Sequence, residues 1–194
     1  MVELFGGVAG VVYREIQSEV QRRLIGGTAG VVQLDVLDTL MNLPDGFPVQ
    51  LATLDADELA VLAQLPPGVV EISVDLVRRV LTAPLAVDLA VVGAQDWRSG
   101  LKAAGRFAPY CERAVLLRQL PQDLPDAAVR ASFYGVGLFL AASEGFEMLV
   151  EPRPYVRHRH TAAQWQFAER VWQQVSGPDG RRSTPSGPSG AVAR

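Results

Sequence analysis

Residues 85–118 read LAVDLAVVGAQDWRSGLKAAGRFAPYCERAVLLR. Leu85 to Val92 is an apolar run broken only by Asp88, short enough for a buried strand. Gly93 to Asp96 makes a tight exit, and Trp97 to Tyr110 carries its apolar residues on one side of a helix. Ala114 to Leu117 is a second apolar run. Strand, helix, strand predicts a βαβ unit with the helix covering the sheet in a right-handed crossover. The fold class that follows is α/β, a central mixed sheet flanked by helices, spanning residues 1–175 as one domain.

A chain of 194 residues that is 48% hydrophobic can bury one sizeable core. Its net charge of −3 exerts no global pull toward nucleic acid or anionic membrane, so any such binding rests on a local patch. Lys102 is the only lysine among the 18 basic residues, an arginine-for-lysine habit that a GC-rich bacterial genome produces without functional demand. Cys111 is the single cysteine, which excludes an internal disulfide and suits a reducing compartment as a small core filler. The start has no basic-then-apolar signal pattern, and the apolar runs fall short of the about 20 residues needed to span a bilayer. The expectation is a soluble, cytoplasmic protein.

Outward from the centre, Met1 to Gly10 reads as a loosely packed start. Val12, Tyr13, Ile16, Val20 and Leu24 predict an amphipathic helix closed by Gly26-Gly27, with Glu19, Arg22 and Arg23 on its polar faces. The same residues also fit an alternating strand. Thr28 to Leu37 is β-branched and alternating, a strand, and Pro44-Asp45-Gly46 marks a turn. Acidic residues at Asp55, Asp57 and Glu58 open a helix that Pro66-Pro67-Gly68 stops. Ser73 is placed to cap a second helix, Val74 to Leu81. The pair forms a helical insertion at about residues 54–82, with a helix-turn-helix as the sharper alternative. C-terminal to the central unit, Asp126 to Ala131 predicts a short helix, and Ser132 to Ala142 a buried strand with Phe146 to Val150 as its hairpin partner. Thr161 caps a last helix bearing Trp165, Ala168 and Trp172. From Ser176 the Gly/Pro/Ser/Arg-rich tail has nothing to pack and is expected to be disordered.

The set Asp96-Trp97-Arg98, Leu101, Arg106-Phe107, Tyr110 to Val115 and Gly135-Val136-Gly137-Leu138 resembles the restriction-endonuclease-like, PD-(D/E)XK superfamily. The resemblance covers about residues 85–150. It implies a nuclease scaffold whose chemistry is metal-assisted phosphodiester hydrolysis. There an upstream Asp and a strand Glu or Asp bind magnesium, and a lysine two residues later helps orient the attacking water. Counted back from Asp96-Trp97, the acid and the lysine fall near Val91 and Gly93, which can neither bind a hard cation nor carry a proton. Asp35, Asp88 and Lys102 are the weak candidates for a relocated site. Mg2+ is expected only if that alternative holds, and otherwise no cofactor.

Candidate binding residues come from charge spacing. Arg98, Lys102, Arg106 and Arg113 form a basic stripe along and beyond the central helix, a candidate contact for phosphate or an acidic partner. Arg153, Arg157 and Arg159, with His158 and His160, make the densest basic cluster of the folded part. The alternating histidines lack a third metal ligand nearby. No phosphate-binding glycine loop and no G-x-S-x-G elbow is present. The leading expectation is therefore a non-catalytic binding or interaction protein on a degenerate nuclease-like scaffold, its partner DNA or a bacterial protein. An active metal-dependent nuclease and a helix-turn-helix transcriptional regulator, reading DNA through Ser73 to Leu81, are the alternatives.

Overall fold

A computed structural model describes residues 1–176; the tail expected from Ser176 onward lies, beyond that residue, outside the described residues. The chain opens with a hairpin rather than a loose start. Strands β1 (Val2–Leu4) and β2 (Gly7–Glu15) pair antiparallel around Phe5-Gly6, where both residues have positive φ, 55° and 74°. That is the backbone a two-residue hairpin turn needs, and Phe5 carries the strain of a side chain held there. Its ring offsets the cost by joining an aromatic cluster, near parallel to Tyr110 and Phe167 at 5.6 and 6.2 Å and edge-on to Phe107 at 5.2 Å.

The helix expected across Val12 to Leu24 is two elements. Val12 and Tyr13 belong to β2, and helix α1 (Gln17–Gly26) begins after them, closing on Gly27 in the left-handed region as expected. Of the apolar residues at that spacing only Val20 is buried, while Val12, Ile16 and Leu24 are exposed, so the spacing crosses two elements without marking one inward face. The strand expected at Thr28 to Leu37 is also corrected. No strand pairs with it, so the segment runs irregularly to Gln33 and then forms helix α2 (Leu34–Asn42).

The region expected to be a helical insertion holds one helix and a second sheet. Strand β3 (Pro48–Gln50) precedes helix α3 (Ala56–Leu62), whose Asp55 and Glu58 form a reciprocal capping box. Strands β4 (Val70–Ser73) and β5 (Leu76–Arg79) form an antiparallel hairpin in the order β3-β5-β4. Ser73 therefore caps nothing, and the recognition helix of the helix-turn-helix alternative is a strand pair.

The central unit is as its sequence predicts. Strand β6 (Leu85–Ala94) leads through helix α4 (Trp97–Ala104) to the parallel strand β7 (Glu112–Leu117). A 3-10 turn at Gly105–Phe107 replaces the expected end of the helix. Helix α5 (Leu124–Tyr134) then crosses to strand β8 (Gly137–Ala141), parallel to β7, and strand β9 (Phe146–Val150) returns antiparallel as expected. Ser132 to Tyr134 belong to α5 rather than to a strand: Gly135, at φ 66°, ends the helix. Helix α6 (Ala162–Val175) is capped by Thr161, which accepts from the Gln164 backbone N–H. The main sheet is mixed, six strands in the order β1-β2-β6-β7-β8-β9 with β6 near its middle.

Register shifts at Asp88, which has no partner between Val12↔Leu89 and Tyr13↔Val87. This bulge moves the buried positions of β6 from Leu85 and Val87 to Ala90 and Val92. All of these join one core with Val2, Leu4, Ala9, Val115 and Leu138, under Trp97 of α4, Ala127 of α5 and Phe167 of α6. The close approach of α4 depends on Gly100: a Cβ there would stand 2.5 Å from Val115 Cγ1. Positions pointing the other way, Val8, Val12, Phe146 and Met148 among them, are more than half exposed. That face of the sheet is apolar and carries none of these helices.

A second core, around Leu37, Leu40, Leu43, Leu62, Val69, Val77 and Leu81, lies between α2, α3 and the small sheet. Helix α6 serves both cores: Ala162 and Trp165 pack into the second, Phe167, Ala168 and Val171 into the first. The two are joined by a sealed ion network. Arg23 donates to both Glu169 oxygens at 2.6 and 2.8 Å, to Glu19 Oε1 at 2.6 Å and to the Thr82 carbonyl at 2.7 Å. Trp165 Nε1 donates to Glu169 Oε1 at 3.0 Å.

Candidate basic groove between two helices

Helix α4 starts where it does because Asp96 caps it, accepting from the Ser99 backbone N–H at 2.9 Å and from its hydroxyl at 2.5 Å. Those bonds, the hydroxyl's first, hold the Asp96 carboxyl below its ordinary value. One residue on, Trp97 is buried and donates its indole N–H to Asp123 Oδ1 at 2.9 Å. Asp123 stands just ahead of α5, so this bond fixes the spacing of the two helices. Its other oxygen takes Arg98 at 2.7 Å, and the two bonds, Trp97's first, hold the Asp123 carboxyl below the usual range. The Arg98 guanidinium lies 4.1 Å from the Trp97 ring centroid, within cation–π range. Arg130 of α5 donates to Asp126 at 3.0 Å and approaches the same ring at 5.9 Å.

Between the helices lies a groove of about 540 Å³. Four cations line it, Arg98, Lys102, Arg113 and Arg130, over apolar ground from Leu101, Val136 and the Trp97 ring. Two carboxylates, Asp123 and Asp126, are engaged by Arg98 and Arg130. Lys102 and Arg113 have no carboxylate partner among the described residues. Arg113 spends one nitrogen on the Tyr134 carbonyl at 2.5 Å, and its Nε is buried without a partner. Burial disfavours its charge and pulls its pKa down, so an anion placed beside it would be stabilised strongly. Tyr134 of α5 stands in the groove wall, and Phe133, 75% exposed, meets its ring edge-on at 5.2 Å.

Of the basic stripe read from the sequence, the structure thus gathers Arg98, Lys102 and Arg113 and separates Arg106. That side chain turns away and donates to the Phe5 carbonyl, steadying the hairpin turn. Arg130 was missing from the stripe because the sequence placed it near the end of a short helix. Its offset of four from Asp126 was the available signal. Arg157 lies elsewhere, 3.5 Å from His160 at the mouth of a second cavity, while Arg159 lines neither cavity.

The relocated nuclease site does not assemble. Asp35 is on α2 rather than on a strand, and Asp88 is held by Arg14, whose two nitrogens reach its oxygens at 2.8 and 2.9 Å. The Arg14 hydrogen bond, over an opposing contribution from burial, lowers the Asp88 pKa. Lys102 faces the groove under the helix layer, whereas the Arg14–Asp88 pair stands on the bare face. Val91 and Gly93, on β6, offer no ligand, and no group of three or more His, Cys, Asp or Glu among the described residues is placed to hold a metal ion. Magnesium does not fit these residues. Cys111 is buried and burial pushes its thiol up to about 12, so it is neither ligand nor nucleophile at neutral pH. No described helix is long and apolar enough to cross a membrane. Comparison with protein-family models, with curated proteins and with solved structures finds no match to this chain.

Proposed function

We propose that the chain is a non-catalytic binding module on a restriction-endonuclease-like scaffold, and that its α4–α5 groove receives an acidic, amphipathic segment of a protein partner. The observation that carries this reading is the pairing of two uncompensated cations, Lys102 and Arg113, with an apolar floor and the exposed Tyr134 in the wall, backed by Phe133 edge-on against its ring. Duplex DNA asks for phosphate-spaced charge on a polar surface, and the net charge of −3 opposes it. A peptide helix uses both halves of the groove, apolar residues on the floor and a carboxylate at Arg113. A cytoplasmic location belongs to the same proposal and accords with a single sealed thiol.

The test is fluorescence anisotropy with a labelled amphipathic Glu/Leu helical peptide and, in parallel, a labelled DNA duplex at low salt. Peptide binding that weakens at least fivefold in Lys102→Glu and in Phe133→Ser supports the groove. Duplex binding with a steep salt dependence, and no peptide binding, would put DNA in its place. A plasmid-nicking assay with magnesium or manganese probes the nuclease alternative. No nicking is expected, and nicking abolished by Asp88→Ala would reinstate an active enzyme.

A further inference from the structure

Apart from the α4–α5 groove, with which it shares no lining residue, a cavity of about 490 Å³ opens between the two cores. One wall comes from the second sheet and its helix: Met41, Leu43 and Arg79. The other comes from the main sheet and α6: Leu85, Thr161 and Trp165. Its volume is in the range that small organic ligands occupy, and such sites favour the seam between packed units.

The charge at this seam has one sign in excess. Arg79 and Arg157 both line it, and Asp45 is its one carboxylate. Asp45 is largely exposed and 3.7 Å from Arg79, a long and solvent-screened pair. Arg79 is otherwise fixed by the fold: it donates to the Leu40 carbonyl at 3.0 Å and lies 5.3 Å from the Trp165 ring centroid. Its Nε is buried with no acceptor. A buried donor without a partner is uncommon in folded proteins, and one on a cation lining this seam marks a place completed by an acceptor from elsewhere. Arg157 is held near by His160 at 3.5 Å, at the opening of α6, whose first-turn N–H groups add partial positive charge.

We propose that this seam binds a small organic anion, a carboxylate, sulfonate or phosphate monoester with an apolar body. The acid group sits between Arg79 and Arg157. The body lies on Met41, Leu43, Leu85 and the Trp165 ring. Because residues of both cores line the cavity, the ligand ties the small sheet to the large one.

The probe is 1-anilinonaphthalene-8-sulfonate, set against N-phenyl-1-naphthylamine, the same apolar body without the sulfonate. Both are titrated by fluorescence into the full chain at neutral pH. The sulfonate is expected to bind at one saturable site at least tenfold more tightly than the neutral dye. That preference is expected to collapse in Arg157→Glu, an exposed position that leaves the fold intact, and in Arg79→Met. It is expected to survive in Arg98→Ala/Lys102→Ala. Equal binding of the two dyes, no binding of the sulfonate, or a preference that survives Arg157→Glu would overturn the proposal. So would loss of the preference in Arg98→Ala/Lys102→Ala, which would place the anion in the other groove.

Discussion

Arg23 stands between Glu19 and Glu169 with all three side chains closed to solvent. Removing one partner leaves charge buried and uncompensated, so Arg23→Met is expected to cost about 3–5 kcal/mol. At roughly 3 °C per kcal/mol for a chain of this size, thermal unfolding followed by circular dichroism would show a drop near ten degrees. The pH dependence has two signs. At Glu19, burial raises the carboxyl but the Arg22 and Arg23 hydrogen bonds outweigh it and hold it below the ordinary value. Its stabilisation is therefore present at neutral pH and lost as pH falls below the usual carboxylate range. At Glu169 burial dominates and holds the carboxyl above the ordinary value, so this group weakens folding as pH rises through the window between the two. Urea midpoints against pH should show a flatter limb below the usual carboxylate range in Glu19→Gln, and a flatter limb above it in Glu169→Gln. None of this network was legible in the sequence. Glu19, Arg22 and Arg23 read as a solvated helix face, and the partner that buries them lies 146 residues further on.

At the scale of elements, β6, α4, β7 and α6 were legible because each carries an apolar run or stripe bounded by Asp, Thr, Gly or Pro. Val70 to Arg79 was not. Its hairpin turns at Val74-Asp75, between paired Ser73 and Leu76, with neither turn residue at positive φ. The Asn-Gly or Asp-Gly signature of a hairpin is therefore absent, and Ser73 mimics a helix cap. Phe133 and Tyr134 misled in a different way: they extend an apolar run into α5 although both are exposed. The helix layer also makes a sharp contrast between two glycines of one stretch. Gly100→Val drives its side chain into Val115 and is expected to lose about 1–3 kcal/mol by overpacking. Gly105→Ala, with open space around it and φ at −55°, is expected to gain up to about 1 kcal/mol. Urea unfolding of the two variants checks both signs.

For the molecule as a whole, the α/β class and mid-sheet position of β6 follow from the pattern of runs, whereas the split into two cores does not. The residues of the second core come from short elements whose periodicity is too brief to reveal a sheet. The basic groove was largely legible: Arg98, Lys102 and Arg113 stood in the stripe read from the sequence, but Arg130 joins them only through the βαβαβ crossover. Trp165 enters one core and Phe167 the other, on a single turn of α6. A chain cut before Thr161 is therefore expected to show no cooperative thermal transition, even for residues 34–81. During synthesis neither half reaches its final packing until α6 has cleared the ribosome tunnel. Both halves must wait, unfinished and with apolar surface open, for the same late arrival.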